Sequence, residues 1–534
     1  MPYFKANVCA HPVSVGLMAL LIGLFLGGAR INAQETDVTQ TPNSENAGIK
    51  KSLSEQIGTG RGDIDTPDSS KYLIARDPFR SIRRGRNLFQ RKFTVEQGFG
   101  PRTGDGHGDI AAEGSIGAGL VDSCAGCHGR PRGSAGFGGD VFTRPDSRDA
   151  PHLFGLGIVE MVADEITQDL RGIRDQAIVE AQGKQRAVDV SLKSKGISNG
   201  KIRVNPDGSV DPSRLEGVNE DLRIRPFFHE GGTISIREFV VGALNAEMGL
   251  EAFDPDLAEA VAGNRIVTPA GMVLDGSVDT IEAPPASSES DDPDLDGVAN
   301  EIPVSLVDHM EFYLLNYFKP ALGRLTQDTK KGQKIFQDIQ CTGCHIQDLV
   351  IERDRRVADV ETTFDRRRGI FNDLFAVATP LFHEAPGSGS PAVKQPNGQR
   401  FVVKNIYADF KRHDLGSTYW ERNFDGTLTK EFMTEPLWGV GTTAPYGHDG
   451  RSIDLWSAIM RHGGEAQKAR DRFARLPEGK QGQVIDFLQT LVLFPPDDTA
   501  SNLNPGDSQV QNFPQYGHGN IALPALFNNP SDLE

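Results

Sequence analysis

Two copies of Cys-x-x-Cys-His constrain this 534-residue chain more than anything else in it. They are Cys124-Ala125-Gly126-Cys127-His128 and Cys341-Thr342-Gly343-Cys344-His345, and between them they use four of the five cysteines. In such a pentapeptide two thiols on neighbouring turns reach the two vinyl groups of one haem as thioethers. The histidine that follows then lies under the iron as its proximal ligand. A zinc ribbon places its second cysteine pair about 15–20 residues after the first, whereas here the pairs start 341 − 124 = 217 positions apart. A thioredoxin-type dithiol needs a βαβ setting, and none is evident. No cysteine remains for a structural disulfide, the usual use of cysteine in an exported protein; Cys9 lies in the N-terminal export segment described below. The expected cofactors are therefore two covalently bound haem c groups, one on Cys124 and Cys127 with His128 on its iron, the other on Cys341 and Cys344 with His345.

A degenerate repeat surrounds the motifs. Gly85-Arg86-Asn87-Leu88-Phe89 precedes the first and Gly332-Gln333-Lys334-Ile335-Phe336 the second, both reading Gly-x-x-(Leu/Ile)-Phe on an amphipathic helix. Glycine and first cysteine are 341 − 332 = 9 residues apart in the second copy and 124 − 85 = 39 in the first, so the first holds a Gly-rich loop insertion of 39 − 9 = 30. Each copy closes with an apolar helical stripe: Leu306, Met310, Tyr313, Leu314 and Tyr317, then Val484, Phe487, Leu488, Leu491 and Val492. Helix, haem motif, variable middle and closing helix is the order of a small cytochrome c unit. A chain this long exceeds one core. The predicted fold is mainly α, with two cytochrome c-type haem domains in tandem, long loops, and an insertion in the first. Its divisions are a signal peptide over 1–33, a disordered linker over 34–75, domains over 76–320 and 321–495, and an irregular tail over 496–534.

The first segment has the pattern of export. Lys5 precedes an uncharged apolar run, Val13 to Gly28, and Ile31-Asn32-Ala33 offers a small-residue cleavage site. The competing reading, an uncleaved anchor, asks for a longer run. The expected location is the periplasm, with no integral membrane segment once the signal is removed. The formal net charge is −17, and removing Lys5 and Arg30 with the signal makes it 54 − 73 = −19. Such a surface disfavours nucleic acid and anionic membranes as partners.

Histidines 107, 152, 229, 309, 383, 413, 448 and 462 and methionines 161, 248, 433 and 460 are all candidates for the sixth position on an iron. A haem closed by Met or a second His transfers electrons, and an open one binds peroxide or oxygen. For the first haem, His152 could ligate permanently or leave on activation, and Met248 is a further choice; the residues leave this open. Asp292, Asp294 and Asp296 alternate before Gly297 as in an EF-hand loop, which raises the expectation of calcium, although the twelfth position is Pro303 and an acidic solvated loop reads the same way.

Over residues 76–495 the motifs resemble the di-haem oxidoreductase family, also called thiol-oxidoreductase-like, which is related to bacterial di-haem cytochrome c peroxidases and to the methylamine dehydrogenase maturation enzyme. The resemblance is carried by Thr434-Glu435-Pro436-Leu437-Trp438-Gly439-Val440-Gly441, Ala444-Pro445-Tyr446-Gly447-His448-Asp449-Gly450-Arg451 and Ala458-Ile459-Met460-Arg461-His462-Gly463-Gly464-Glu465-Ala466. It extends to Ala408–Gly416, Gly98–Pro101 and Phe154–Glu160. It implies that His462 stands where the peroxidases carry the distal Met, giving a bis-histidine C-terminal haem, with His448 a pocket residue of that haem and His413 the runner-up ligand. It also implies that Glu247, in Ala246-Glu247-Met248-Gly249, is the distal acid over the first haem. Calcium gains weight from the same resemblance, since the related peroxidases hold it between their haems.

The function expected is a periplasmic di-haem c-type cytochrome oxidoreductase of peroxidase type. A small donor protein, a cytochrome or cupredoxin, would pass electrons through the C-terminal haem to the N-terminal haem, where peroxide or another small substrate reacts. The alternatives are a non-enzymatic carrier with both haems six-coordinate, or an oxygenase or maturation enzyme acting on a protein or polymer. The length between the motifs and the presence of Glu247 favour the enzyme.

Overall fold

Caps and apolar stripes place the helical frame. The computed structural model describes residues 53–91, 93, 123–129, 140–141, 148–293, 295, 297–316, 321–322, 325–355, 358–360, 378–380, 382–384, 391–393, 400–423 and 425–493, all within the unit Val38–Glu534. The signal segment, the Gly-rich insertion before the first motif and the C-terminal tail lie outside the described residues. Twelve α-helices lie among the described residues: α1 Leu53–Ile57, α2 Ser70–Arg76, α3 Pro78–Gln90, α4 Cys124–His128, α5 Leu156–Lys184, α6 Ile236–Met248, α7 Pro255–Val261, α8 Val304–Leu315, α9 Gln327–Asp338, α10 Leu455–Arg461, α11 Gln467–Ala474 and α12 Glu478–Leu488. The described sheets are all two-stranded except one of three antiparallel strands, Val188–Ser194, Ile197–Val204 and Val210–Leu215. The protein is thus mainly helical with several small sheets. None of the described helices is long and apolar enough to cross a membrane.

Both glycines of the repeat sit at helix crossings. α3 packs on α8 and α9 on α12. A Cβ at Gly85 would stand 2.2 Å from the His309 carbonyl oxygen, and one at Gly332 would stand 1.8 Å from that of Gln483. Only glycine lets the backbones approach so closely. The repeat phenylalanines then fill equivalent places: Phe89 meets Tyr313 edge-on at 5.9 Å, and Phe336 meets Phe487 at 5.6 Å. A small apolar cluster of Phe336, Ile339, Tyr407, Leu455, Phe473, Val484, Phe487, Leu488 and Leu491 surrounds the second crossing, separate from the larger core that the rest of the chain builds.

Three expectations need correction. Residues 53–75 are folded rather than a disordered linker. Leu53 and Leu73 are buried, Arg61 pairs with Asp256 and Asp308, and the Ser70 hydroxyl donates to Asp308 Oδ2 (2.6 Å). The segment docks chiefly through polar contacts, which apolar periodicity does not register. The second closing helix ends at Leu488, and Leu491–Val492 instead pair as a strand with Ala321–Leu322. The three-stranded sheet after α5 was not anticipated, although its central strand alternates buried and exposed positions over much of its length.

A buried ion network fixes α6. The Arg237 guanidinium, fully buried, bonds Asp254 at the cap of α7 and Asp308 and Glu311 on α8, at 2.7–3.0 Å. Arg61 approaches the same Asp308 at 3.3 Å. α6 carries Glu247 in its last turn and stops at Gly249 in the left-handed conformation (φ 66°).

Candidate haem centre

Each motif presents its histidine in the same way. Ser123 caps α4 by accepting from Gly126 N (3.1 Å), which holds Cys124 to His128 in one helical turn. His128 Nδ1 donates to the Pro151 carbonyl at 2.7 Å, which leaves Nε2 available to a metal. In the second motif Cys341–Gly343 form a 3₁₀ turn, and His345 Nδ1 donates to the Tyr407 carbonyl at 3.1 Å. Phe336 lies against that imidazole, 6.1 Å between centroids. Burial pushes both His128 and His345 down to about 4, so each ring is neutral at physiological pH, the form a metal binds. The four motif cysteines form no disulfide, and burial drives the thiols of Cys124 and Cys341 up to about 12.

All four cysteines and seven histidines line one cavity of about 1040 Å³. Hydrogen bonding sorts these histidines into three groups. His128, His345 and His462 each engage Nδ1 on a backbone carbonyl; for His462 it is Ala458 O at 2.7 Å, four residues back on α10. Three more engage both nitrogens. His152 Nε2 donates to Trp438 O (2.7 Å) while Nδ1 accepts from Phe154 N (3.2 Å). His229 lies 3.2 Å from both Asp149 O and Glu435 Oε1. His413 bridges Asp409 Oδ2 (3.0 Å) and Glu465 Oε2 (2.8 Å). Burial disfavours the His413 cation, but hydrogen bonds to Asp409 and to the Cys344 thiol outweigh it and raise the ring to about 11. His448 alone has no hydrogen bond at its ring nitrogens among the described residues. It stacks on Phe432 at 3.9 Å, with Glu421 Oε2 3.7 Å from Nε2.

This sorting bears on each predicted ligand. His462 has the same Nδ1-to-carbonyl geometry as His128 and His345 and stands close enough to His345 to depress its pKa further. His413 has both ring nitrogens engaged by carboxylates in this structure, and it clusters with Asp409 and Cys344. Both His152 nitrogens are committed in this structure, so ligation by it would require breaking its bond to Trp438. Met248 is buried in the cavity wall, while Met161 Sδ accepts from Arg355 N (3.2 Å). His309 lies outside the cavity, its Nδ1 2.8 Å from Ser81 Oγ. His107 lies outside the described residues, as does the side chain of His383. His448 does not belong to the second motif alone: its ring is 6.1 Å from Tyr419 and 6.0 Å from His229, and its carbonyl accepts from Asp149 N at 2.8 Å.

Glu247 lines the cavity beside the first motif. Burial pushes the Cys127 thiol up to about 11, and the charge of Glu247 adds to that rise. Of the calcium candidates, Asp292 accepts from Gly297 N (3.0 Å) and so closes its own loop, while Asp294 and Asp296 lie outside the described residues. The sequence reading missed Arg148, whose guanidinium pairs with the buried Glu421 (2.9 Å) and with Glu230 (2.7 Å) at the cavity wall. It also missed the carbonyls of Pro151, Tyr407 and Ala458, which orient the histidines and, being backbone, carry no side-chain signal. Paired thiols with an imidazole fixed through Nδ1, twice over on one cavity wall, are a donor set that fits two haems.

Comparison with known proteins agrees with that fit. No curated protein matches the chain. Among solved structures, one similar in outline is Kuenenia stuttgartiensis hydrazine synthase pressurised with 20 bar xenon, at 13% identity and a TM-score of 0.34, covering 81% of this chain and 94% of that one. A likeness that loose carries no argument. Residues 349–491, which begin just after the second motif and include Tyr407, His413, His448 and His462, match the family model described as "Di-haem oxidoreductase, putative peroxidase". Over that segment the chain is similar to the di-haem oxidoreductase family, which supports a haem-binding oxidoreductase in general terms.

Proposed function

We propose that this protein is an exported, periplasmic di-haem c-type oxidoreductase of peroxidase type. One haem is held by Cys124, Cys127 and His128, the other by Cys341, Cys344 and His345, in tandem cytochrome c-like units. The observation that carries the reading is the unequal supply of prearranged imidazoles. Two histidines with Nδ1 anchored on a carbonyl, His345 and His462, serve the second motif, and one, His128, serves the first. A haem at the second motif would be held by His345 and His462 and would suit electron transfer, and one at the first motif would be held by His128 and would keep room for a small substrate. A bound haem supplies the one-electron and peroxide chemistry, tuned by its axial ligands.

The chain's own residues do the rest. His345 and His462 fix the second centre through their Nε2 atoms. His128 fixes the first, with Pro151 setting the tilt of its ring. Glu247 takes a proton from one peroxide oxygen onto its carboxylate and returns it to the departing oxygen. Its helix is immobilised by the Arg237 network, which keeps the carboxylate in place. The acidic surface suits a small donor protein carrying a basic face, such as a cytochrome or cupredoxin.

Optical spectra of the oxidised and half-reduced protein, followed by peroxide addition, test the reading. One low-spin and one high-spin centre with peroxide turnover is expected. Two centres that stay low-spin in every redox state and ignore peroxide would leave a simple electron carrier instead.

A further inference from the structure

A distal ligand at the end of a short helix needs external support. α10 is seven residues long, and His462 is its C-terminal cap, with backbone already extended (φ −60°, ψ 102°). Helices this short are marginal alone, and their ends fray first. The bond from His462 Nδ1 to Ala458 O holds the ring only relative to that same helix end. We propose that Tyr419, with the Arg461–Asp449 pair, forms a clamp that fixes the His462 ring and moderates its Nδ1 hydrogen bond; this rests on the reading of His462 as a ligand of the second haem.

Four observations carry the clamp. The Tyr419 ring, itself buried, meets the His462 imidazole edge-on at 5.7 Å and 75°, walling one side of it. The Tyr419 hydroxyl donates to Ala458 O at 3.4 Å, the carbonyl that His462 Nδ1 already uses at 2.7 Å. The Arg461 guanidinium covers the Tyr419 ring, 4.2 Å from its centroid, and grips Asp449 with two bonds of 3.0 and 2.7 Å. Finally, the two strips of backbone are tied reciprocally. Arg461 Nη2 donates to Thr418 O (2.8 Å), and Thr418 Oγ1 donates to Arg461 O (3.1 Å). The end of α10 is therefore bound to 418–419 and to 449 from opposite directions, and the ligand ring lies between.

The shared carbonyl gives the clamp a chemical consequence. An acceptor that serves two donors draws less on each. Without the tyrosine hydroxyl, Ala458 O would pull harder on the Nδ1 proton, make the imidazole a stronger donor to iron and lower the potential of that haem. Without the ring, the imidazole would lose its wall and yield more readily to an outside ligand.

The test uses the full-length holoprotein and cyanide as the probe for the sixth position, with midpoint potential and low-spin spectrum read at each haem. Tyr419→Phe should keep its cyanide affinity within about twofold of wild type and lower only the potential of the second haem. Tyr419→Ala should bind cyanide there about tenfold more tightly, the scale at which residues behind a ligand act. Arg461→Met, which leaves the tyrosine packed, carries the same prediction as Tyr419→Ala in weaker form and decides the matter if Tyr419→Ala does not fold. Wild-type affinity and potential in these variants would overturn the clamp. A His462→Gly protein whose second haem keeps its low-spin spectrum would instead overturn the ligand assignment, so the two failures are distinct.

Discussion

Replacing Gly332 by alanine should loosen the second half of the molecule and disturb its haem. The added Cβ would lie 1.8 Å from Gln483 O and 3.0 Å from Phe487 Cβ, and real Cβ atoms essentially never approach closer than 3.0 Å. The helices must therefore separate by at least 3.0 − 1.8 = 1.2 Å, since the obstacle is a backbone carbonyl that cannot rotate away without breaking α12. Overpacking of this severity costs about 3 kcal/mol, and alanine returns about 1 kcal/mol of helix propensity, which leaves a loss of about 2 kcal/mol. The measurement is the urea or thermal midpoint of the holoprotein, with Gly482→Ala as control. Gly482 lies on α12 with nothing within 4 Å of its would-be Cβ, so that variant should gain up to about 1 kcal/mol. Because Phe336 packs against His345 and Phe487 packs against Phe336, Gly332→Ala should also perturb the spectrum of the second haem and spare the first. The twin substitution, Gly85→Ala, meets His309 O at 2.2 Å and should do the reverse. A Gly332→Ala protein as stable as Gly482→Ala would refute the crossing argument.

Four further outcomes are expected. His462→Gly should convert the second haem from low-spin to high-spin, with added imidazole restoring the signal; an unchanged spectrum rules the ligand out. Glu247→Gln should cut peroxide turnover by about 10²–10⁴ with the resting spectrum intact, and an unaffected rate removes Glu247 from the chemistry. Burial, aided by Asp164, raises the pKa of Glu160, so the stability its neutral form contributes is complete below the usual carboxyl range and is lost as pH rises through the raised value. Glu160→Gln should therefore gain on wild type by about 2 kcal/mol between about pH 5 and pH 9, and parallel melting curves across that range would contradict this. Arg148→Met removes the cation that faces the buried Glu421 and should cost about 3 kcal/mol, read as a fall in thermal midpoint; an unchanged midpoint would mean that the pair contributes nothing net.

Much of the helical frame was legible because it rests on side-chain periodicity. The Gly-x-x-(Leu/Ile)-Phe repeat marked both helix crossings. Docking of residues 53–75 was not legible, because Arg61 and Ser70 meet Asp256 and Asp308 across gaps of 195 to 247 residues and nothing local announces the pairing. The same limit applies to the site. Cys-x-x-Cys-His announces its own chemistry, but the fate of every other histidine depends on what its second nitrogen meets. His462 and His413 looked alike as candidates. One finds a carbonyl of its own helix and keeps a nitrogen for metal, while the other finds Asp409 and Glu465 and keeps none.

The surroundings of the first motif are tied in part to the far half of the chain. Pro151, which orients His128, lies in a short stretch held from the N-terminal side by Glu230 and His229 and from the C-terminal side as well. Arg148 pairs with Glu421, Asp149 N donates to the His448 carbonyl, and His152 donates to the Trp438 carbonyl. The loop that accepts from Asp149 also supplies Asp449, which grips Arg461 beside His462. One stretch, 445–452, therefore touches the ligand supports of both centres. Each motif orients its histidine with a carbonyl from its own side, Pro151 for the first and Tyr407 for the second, but the stretch that carries Pro151 is also bonded to C-terminal residues. That tie lies at the wall of the cavity that both motifs line, so the packing around one motif is not independent of the packing around the other.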